Sequence, residues 1–200
     1  MAIRGRIRAV LSREEGYSLI ELLTVVTILG LVLSSLTTIF VTASHGELDM
    51  NRRYQAQEQA RLAMDKLRRE IHCASAVSPS GNSSSITLTM PSQCPTSAGA
   101  TSVQWCVQTL STSSGTRYAL YRSTSGTCGA ATGVLWADYL RTQQVFTYTP
   151  QSSSSLGSLA VALVVNTTTN LTIGTFRLSD SIVLRNSTRT CITGSPSPPC

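Results

Sequence analysis

The sequence predicts an α+β protein in which one long N-terminal helix lies on an antiparallel sheet. Three observations predict it. An apolar run from Tyr17 to Ala43 continues into an amphipathic stretch, with no proline between Met1 and Val77. At Ser78-Pro79-Ser80-Gly81 the apolar period changes from the three-to-four spacing of a helix to alternation. Beyond that point come short Thr-rich and β-branched segments punctuated by Gly, Ser and Asn, the composition of strands and turns. A helix with one apolar stripe has to bury it, and a half-apolar sheet offers the matching face.

The first element is a short leader, 1–16, carrying Arg4, Arg6, Arg8 and Arg13 against Glu14 and Glu15. The run that follows, Tyr17 to Ala43, is 27 residues long. A helix needs ~20 residues to cross the hydrocarbon core of a bilayer. Its Ser and Thr hydroxyls can bond back to carbonyls of the same helix, so they do not forbid burial in lipid. The basic leader predicts that the N-terminus stays in the cytoplasm. The run is longer than the apolar part of a secretory signal, and no small-residue cleavage site follows it directly. Its one charge is Glu21. An acid at the centre of a span costs about 3 kcal/mol and less near the interface, so Glu21 calls for a partner.

Residues 45–76 read as the continuation of the helix. Ala56, Ala60, Ala63, Met64, Leu67, Ile71 and Ala74 make one apolar stripe, and Asp49/Arg53 and Asp65/Arg69 are acid-to-base pairs four apart. Gly46 marks a candidate hinge. The helix is expected from 17 to 76. Strands are expected at Ile86–Met90, Val103–Val107, Tyr118–Arg122, Val145–Tyr148, Leu159–Val165, Thr175–Leu178 and Ser181–Arg185, mostly as an antiparallel meander. The resulting organisation is 1–16 leader, 17–44 transmembrane helix, 45–76 amphipathic helix, 77–190 β-rich domain and 191–200 Cys/Pro-rich tail.

Composition narrows the chemistry. Charged residues make up 13% of the chain, about half the usual share, which excludes a charged disordered protein and a coiled-coil rod. The only histidines are His45 and His72, so a three-histidine metal site is impossible. Neither histidine suggests a Ser-His-Asp or Cys-His constellation. Beyond Glu70 the only acids are Asp138 and Asp180, too few for an acid/base or calcium assignment. No enzymatic activity and no cofactor are expected. The net charge of +6 comes partly from the leader and otherwise from scattered Arg, which does not suggest nucleic-acid binding. Six cysteines, Cys73, Cys94, Cys106, Cys128, Cys191 and Cys200, all lie beyond the apolar run. An even number on the outer side of a membrane suggests disulfides. Of the possible pairings, neighbours in sequence are favoured: Cys73–Cys94, Cys106–Cys128 and Cys191–Cys200.

The N-terminal string carries a resemblance. Gly16-Tyr17-Ser18-Leu19-Ile20-Glu21-Leu22-Leu23, after a short basic leader and at the head of an unbroken apolar helix, resembles the prepilin signal of type IV prepilins and pseudopilins. The likeness covers residues 1 to about 74. It implies that a prepilin peptidase cuts between Gly16 and Tyr17 and methylates the new amino group. It implies further that Glu21 is an assembly residue, meeting the amino group of a neighbouring subunit when such helices bundle. Tyr17 stands where most relatives have Phe. Thr38 stands where most major pilins have Pro, which points to a minor pilin or pseudopilin. Phe176 to Asn186 resembles, more faintly, the last strand of the larger, J-type pseudopilin class. The implied fold is type IV pilin-like. The implied partners are the peptidase, other pilin subunits and, before assembly, the cytoplasmic membrane. The implied destination is an extracytoplasmic filament serving pilus assembly, adhesion, secretion or DNA uptake. The alternative is a signal-anchored, single-pass surface binding protein, such as a lectin-like adhesin, that never polymerises.

Overall fold

The computed structural model describes residues 16–95, 99–112, 115–152, 154–167 and 175–186. The leader, Cys191, Cys200 and the expected bridge between them lie outside the described residues. Among the described residues one helix, α1 (Leu19–Cys73), is followed by nine strands: β1 (Ala76–Ser78), β2 (Gly81–Ser83), β3 (Ser85–Thr89), β4 (Ser102–Thr112), β5 (Gly115–Ser123), β6 (Val134–Leu140), β7 (Phe146–Thr149), β8 (Ser158–Val165) and β9 (Phe176–Val183). The fold is α+β, a long N-terminal helix with a curled antiparallel sheet. The chain divides into two compact units, to Leu48 and from Asp49 onward.

In the second unit, the strand order is β1-β3-β4-β5-β6-β8-β7-β2, with β9 on β8. Strands β3 to β6 form an antiparallel meander, and β4–β5 is the longest hairpin, paired from Gln104↔Ser123 to Thr112↔Gly115. After β6 the meander breaks. β9 pairs with β8 along its whole length, and β6 and β7 follow one another on the other edge, at Leu140↔Val165 and Phe146↔Val161.

The core lies where the helix stripe meets the sheet. Ala56, Ala60, Ala63, Met64, Leu67 and Ile71 are all buried. Opposite them, alternate residues of the strands point inward: Ile86 and Leu88, Val103, Trp105 and Val107, Leu120, Phe146, and Leu159, Val161 and Leu163. Each fully buried Leu or Ile contributes about 1.5–3 kcal/mol.

One stripe residue is not apolar. Glu70 is completely buried between Leu67 and Ile71. The Trp105 indole N–H donates to its Oε2 at 2.8 Å, and Arg122 donates to its Oε1 through Nε and Nη2, both at 2.8 Å. Lys66, one turn earlier, reaches Oε1 at 3.2 Å. A buried carboxylate is tolerable only with such partners, and removing it leaves buried cations that cost about 3–5 kcal/mol. A second seam ties the helix to β9. Arg68 binds Asp180 at 2.8 Å, Arg61 lies 5.6 Å from the Phe176 ring centre, and His72 Nδ1 lies 3.1 Å from the Val183 carbonyl. Charged hydrogen bonding to Asp180 raises the Arg68 pKa.

Two disulfides are present among the described residues. Cys73–Cys94 joins the end of α1 to the turn closed by Cys94 N–H donating to the Pro91 carbonyl. Cys106–Cys128 pins the loop after β5 to the outer face of the sheet, over Ala119 and Tyr121. Gly133 ends that loop. A Cβ there would stand 2.9 Å from the Gly129 carbonyl and 3.1 Å from Tyr121 Cβ, so the close return of the chain requires glycine.

Several expectations need correction. The helix ends at Cys73 rather than 76, because Ala76–Ser78 is recruited as β1 against Thr87–Thr89. Asp49–Arg53 forms at 2.7 Å, but Asp65 pairs with Arg68 at 3.2 Å instead of Arg69, since Arg68 also reaches Asp180. The pieces expected at 175–178 and 181–185 are one strand, β9. β1, β2 and β6 were not expected.

Candidate functional site

The residues to which the sequence resemblance assigns processing and assembly, Gly16, Tyr17 and Glu21, lie at the N-terminal end of α1. Gly16, Tyr17 and Ser18 are non-helical and exposed, and Tyr17 is 80% exposed. The helix opens at Leu19, with Ser18 in the N-cap position. The Ser18 carbonyl accepts from Glu21 N–H at 2.9 Å and from Leu22 N–H at 3.1 Å, the first bonds of the ladder. Ser18-x-x-Glu21 is the spacing of a capping box. This puts the Glu21 carboxylate in the first turn, where the helix dipole favours negative charge.

From Leu19 to Ala43 the helix is exposed and apolar on every side, with Leu19, Ile28, Leu31, Ile39 and Phe40 all more than 60% exposed. That stretch covers about 37 Å at 1.5 Å per residue, against roughly 30 Å of hydrocarbon. All its interior hydroxyls turn back onto the helix. Thr24 donates to the Glu21 carbonyl at 2.9 Å, Thr27 to Thr24 at 2.8 Å, Ser34 to Leu31 at 3.0 Å and Ser35 to Val32 at 2.8 Å. Thr37, Thr38, Thr42 and Ser44 do the same to carbonyls four residues back. The surface therefore offers no free polar group to water between Thr24 and Ser44 apart from the backbone-bonded hydroxyls themselves. Among the described residues this is the one helix long and apolar enough to cross a membrane.

The other candidate residues fall elsewhere. Asp138 pairs with Arg117 at 3.3 Å and Asp180 with Arg68, so each acid has its own cation rather than the other as a partner. His72 is engaged with Val183. Cys73, Cys94, Cys106 and Cys128 form the two bridges. No family model matches the sequence, no curated protein matches it, and no solved structure matches the fold.

Proposed function

We propose that this chain is a minor type IV pilin or pseudopilin, a structural subunit rather than an enzyme. It is cleaved after Gly16, methylated at Tyr17, held in the cytoplasmic membrane with its N-terminus inside, and then drawn into an extracytoplasmic filament. The observation that carries the reading is the head of α1. An apolar helix exposed on all sides follows directly on Gly16-Tyr17, with a single acid in its first turn. Such a surface needs lipid or other helices around it.

The assembly step follows from the cost of buried charge. Cleavage frees an amino group at Tyr17, a cation carried into an apolar surrounding. Glu21, one turn along, supplies the carboxylate that a neighbouring subunit's amino group requires. Paired and hydrogen-bonded, the two charges are tolerable; apart, each carries several kcal/mol of desolvation. The pairing therefore sets how far along its neighbour each helix sits.

Fractionation of cells expressing the tagged chain tests the reading. A filament subunit appears in the fraction sheared from the surface, at a few copies per filament for a minor subunit. A chain confined to the membrane fraction under conditions in which filaments form supports the anchored adhesin instead.

A further inference from the structure

Among the described residues the sheet has three free edges, β1, β2 and β9. β1 and β2 have three residues each, and very short edge strands offer little to pair with. β9 has eight residues, and an open edge of that length is a template for a further strand.

The hydrogen bonding of β8 fixes which groups of β9 face the open side. Leu184 N–H donates to the Gly157 carbonyl at 2.9 Å, so Phe176, Leu178, Asp180 and Ile182, in step with Leu184, turn their backbone groups towards β8. On the other side of β8, Ala162 N–H donates to the Val145 carbonyl and Arg141 N–H to the Val164 carbonyl, which is the complementary set. The backbone groups of Arg177, Ser179, Ser181 and Val183 therefore point away from the sheet. The far half of this edge is already closed. Ser181 N–H donates to Asp180 Oδ1 at 2.9 Å, and Arg68 holds that carboxylate. His72 Nδ1 lies 3.1 Å from the Val183 carbonyl. Arg177 and Ser179 are exposed, and among the described residues their outward N–H and C=O groups meet no partner.

The charge beside the open half is positive. Arg177 and Arg61, which lies over the Phe176 ring, have no acid partner among the described residues. Asp180, three residues along β9, and Asp65, one turn along α1, are both taken by Arg68.

We propose that the Arg177–Ser179 half of β9 docks a short, extended, acidic segment of another protein by strand addition. The four open backbone groups supply the ladder, and side chains on the added strand supply the choice of partner. The residue set opposite Arg177 shares its face of the sheet, so an Asp or Glu there is favoured and a Lys or Arg is opposed. His72 and the Arg68–Asp180 pair stop the added strand short of Ser181–Val183. This surface goes beyond the filament reading, since an anchored protein that never polymerises presents it equally.

Peptide titration of the full-length, ¹⁵N-labelled protein in detergent micelles tests the proposal. The probes are the terminally blocked hexapeptides Thr-Val-Thr-Val-Glu-Val and Thr-Val-Thr-Val-Lys-Val, whose charged residue meets Arg177 in antiparallel pairing. The Glu peptide shifts the amide resonances of Arg177 and Ser179 with a Kd below ~5 mM. It binds about threefold or more tighter than the Lys peptide. Ser179→Pro removes one outward N–H and leaves the β8 ladder untouched, so it weakens the Glu peptide about fivefold or more while the melting transition stays in place. Arg177→Glu reverses the order of the two peptides, and it decides the matter even if the proline variant does not fold. No shift at the two amides by ~5 mM, or equal binding of the two peptides, overturns the proposal. So does binding that survives Ser179→Pro in a folded chain. A dimer of the parent that Ser179→Pro abolishes, without peptide binding, assigns the edge to a second copy and overturns the acidic partner.

Discussion

Replacing Cys73 and Cys94 together with Ala removes the bond between the end of α1 and the turn after β3. The two cysteines are 21 residues apart, so the bond withholds about 3 kcal/mol of loop entropy from the unfolded chain. For a domain of this size each kcal/mol moves the melting temperature by roughly 2–4 °C, so the variant should melt about 6–12 °C lower. Near-UV circular dichroism in mild detergent follows the transition through Trp105 and Trp136, whose rings are 5.8 Å apart. The Cys106→Ala/Cys128→Ala pair has a separation of 22 and the same unfolded-state magnitude, about 3 kcal/mol. Its local effect differs. Hydrogen exchange should rise in the loop 124–133 for that pair, and in 70–78 for the first. A melting shift under ~2 °C for Cys73→Ala/Cys94→Ala refutes the loop-closure reasoning, given the slope above. An exchange map in which the second pair loosens the helix end refutes the local one.

Glu21→Val should insert into membranes as well as the parent or better, while its copies in sheared filaments fall; normal incorporation would refute the pairing of Glu21 with a neighbour's amino group. Leu67→Ala empties a site that is 1% exposed and should cost about 2–5 kcal/mol in chemical denaturation. Burial raises the Tyr148 pKa. The folded state thus holds that proton more tightly than the unfolded chain. Its contribution is whole below the ordinary value of about 10 and is lost as pH rises through the raised one. Tyr148→Phe should therefore lose less stability than the parent as pH rises above about 10, measured by denaturation at each pH.

The helix and its stripe were legible because a 3.6-residue period repeats over many turns. The sheet was only partly so, for local reasons. β1 and β2 have three residues each, too short to show alternation, and Ser78-Pro79 between them reads as a turn. β6, Val-Leu-Trp-Ala-Asp-Tyr-Leu, does not alternate because its pairing with β5 is irregular between Tyr118 and Tyr121. Tyr139 also takes a φ of 60°, which shifts the facing of the residues around it. β9 looked like two strands because Ser179-Asp180 has the composition of a turn; in the fold Asp180 stays in the strand, held by Arg68. Glu70 was legible in part. It lies three residues beyond Leu67 and four before Ala74, on the stripe itself, which marks an acid facing the core. Its partners Trp105 and Arg122, 35 and 52 residues away, could not be read from spacing.

Mass spectrometry of the N-terminal peptide from the membrane-borne protein tests the filament-subunit reading most directly. The account predicts a chain that begins at Tyr17 and carries a methyl group on its amino nitrogen, and a Gly16→Trp variant that keeps its leader. An intact leader in the parent protein, or a chain that begins beyond Ala43, would contradict it.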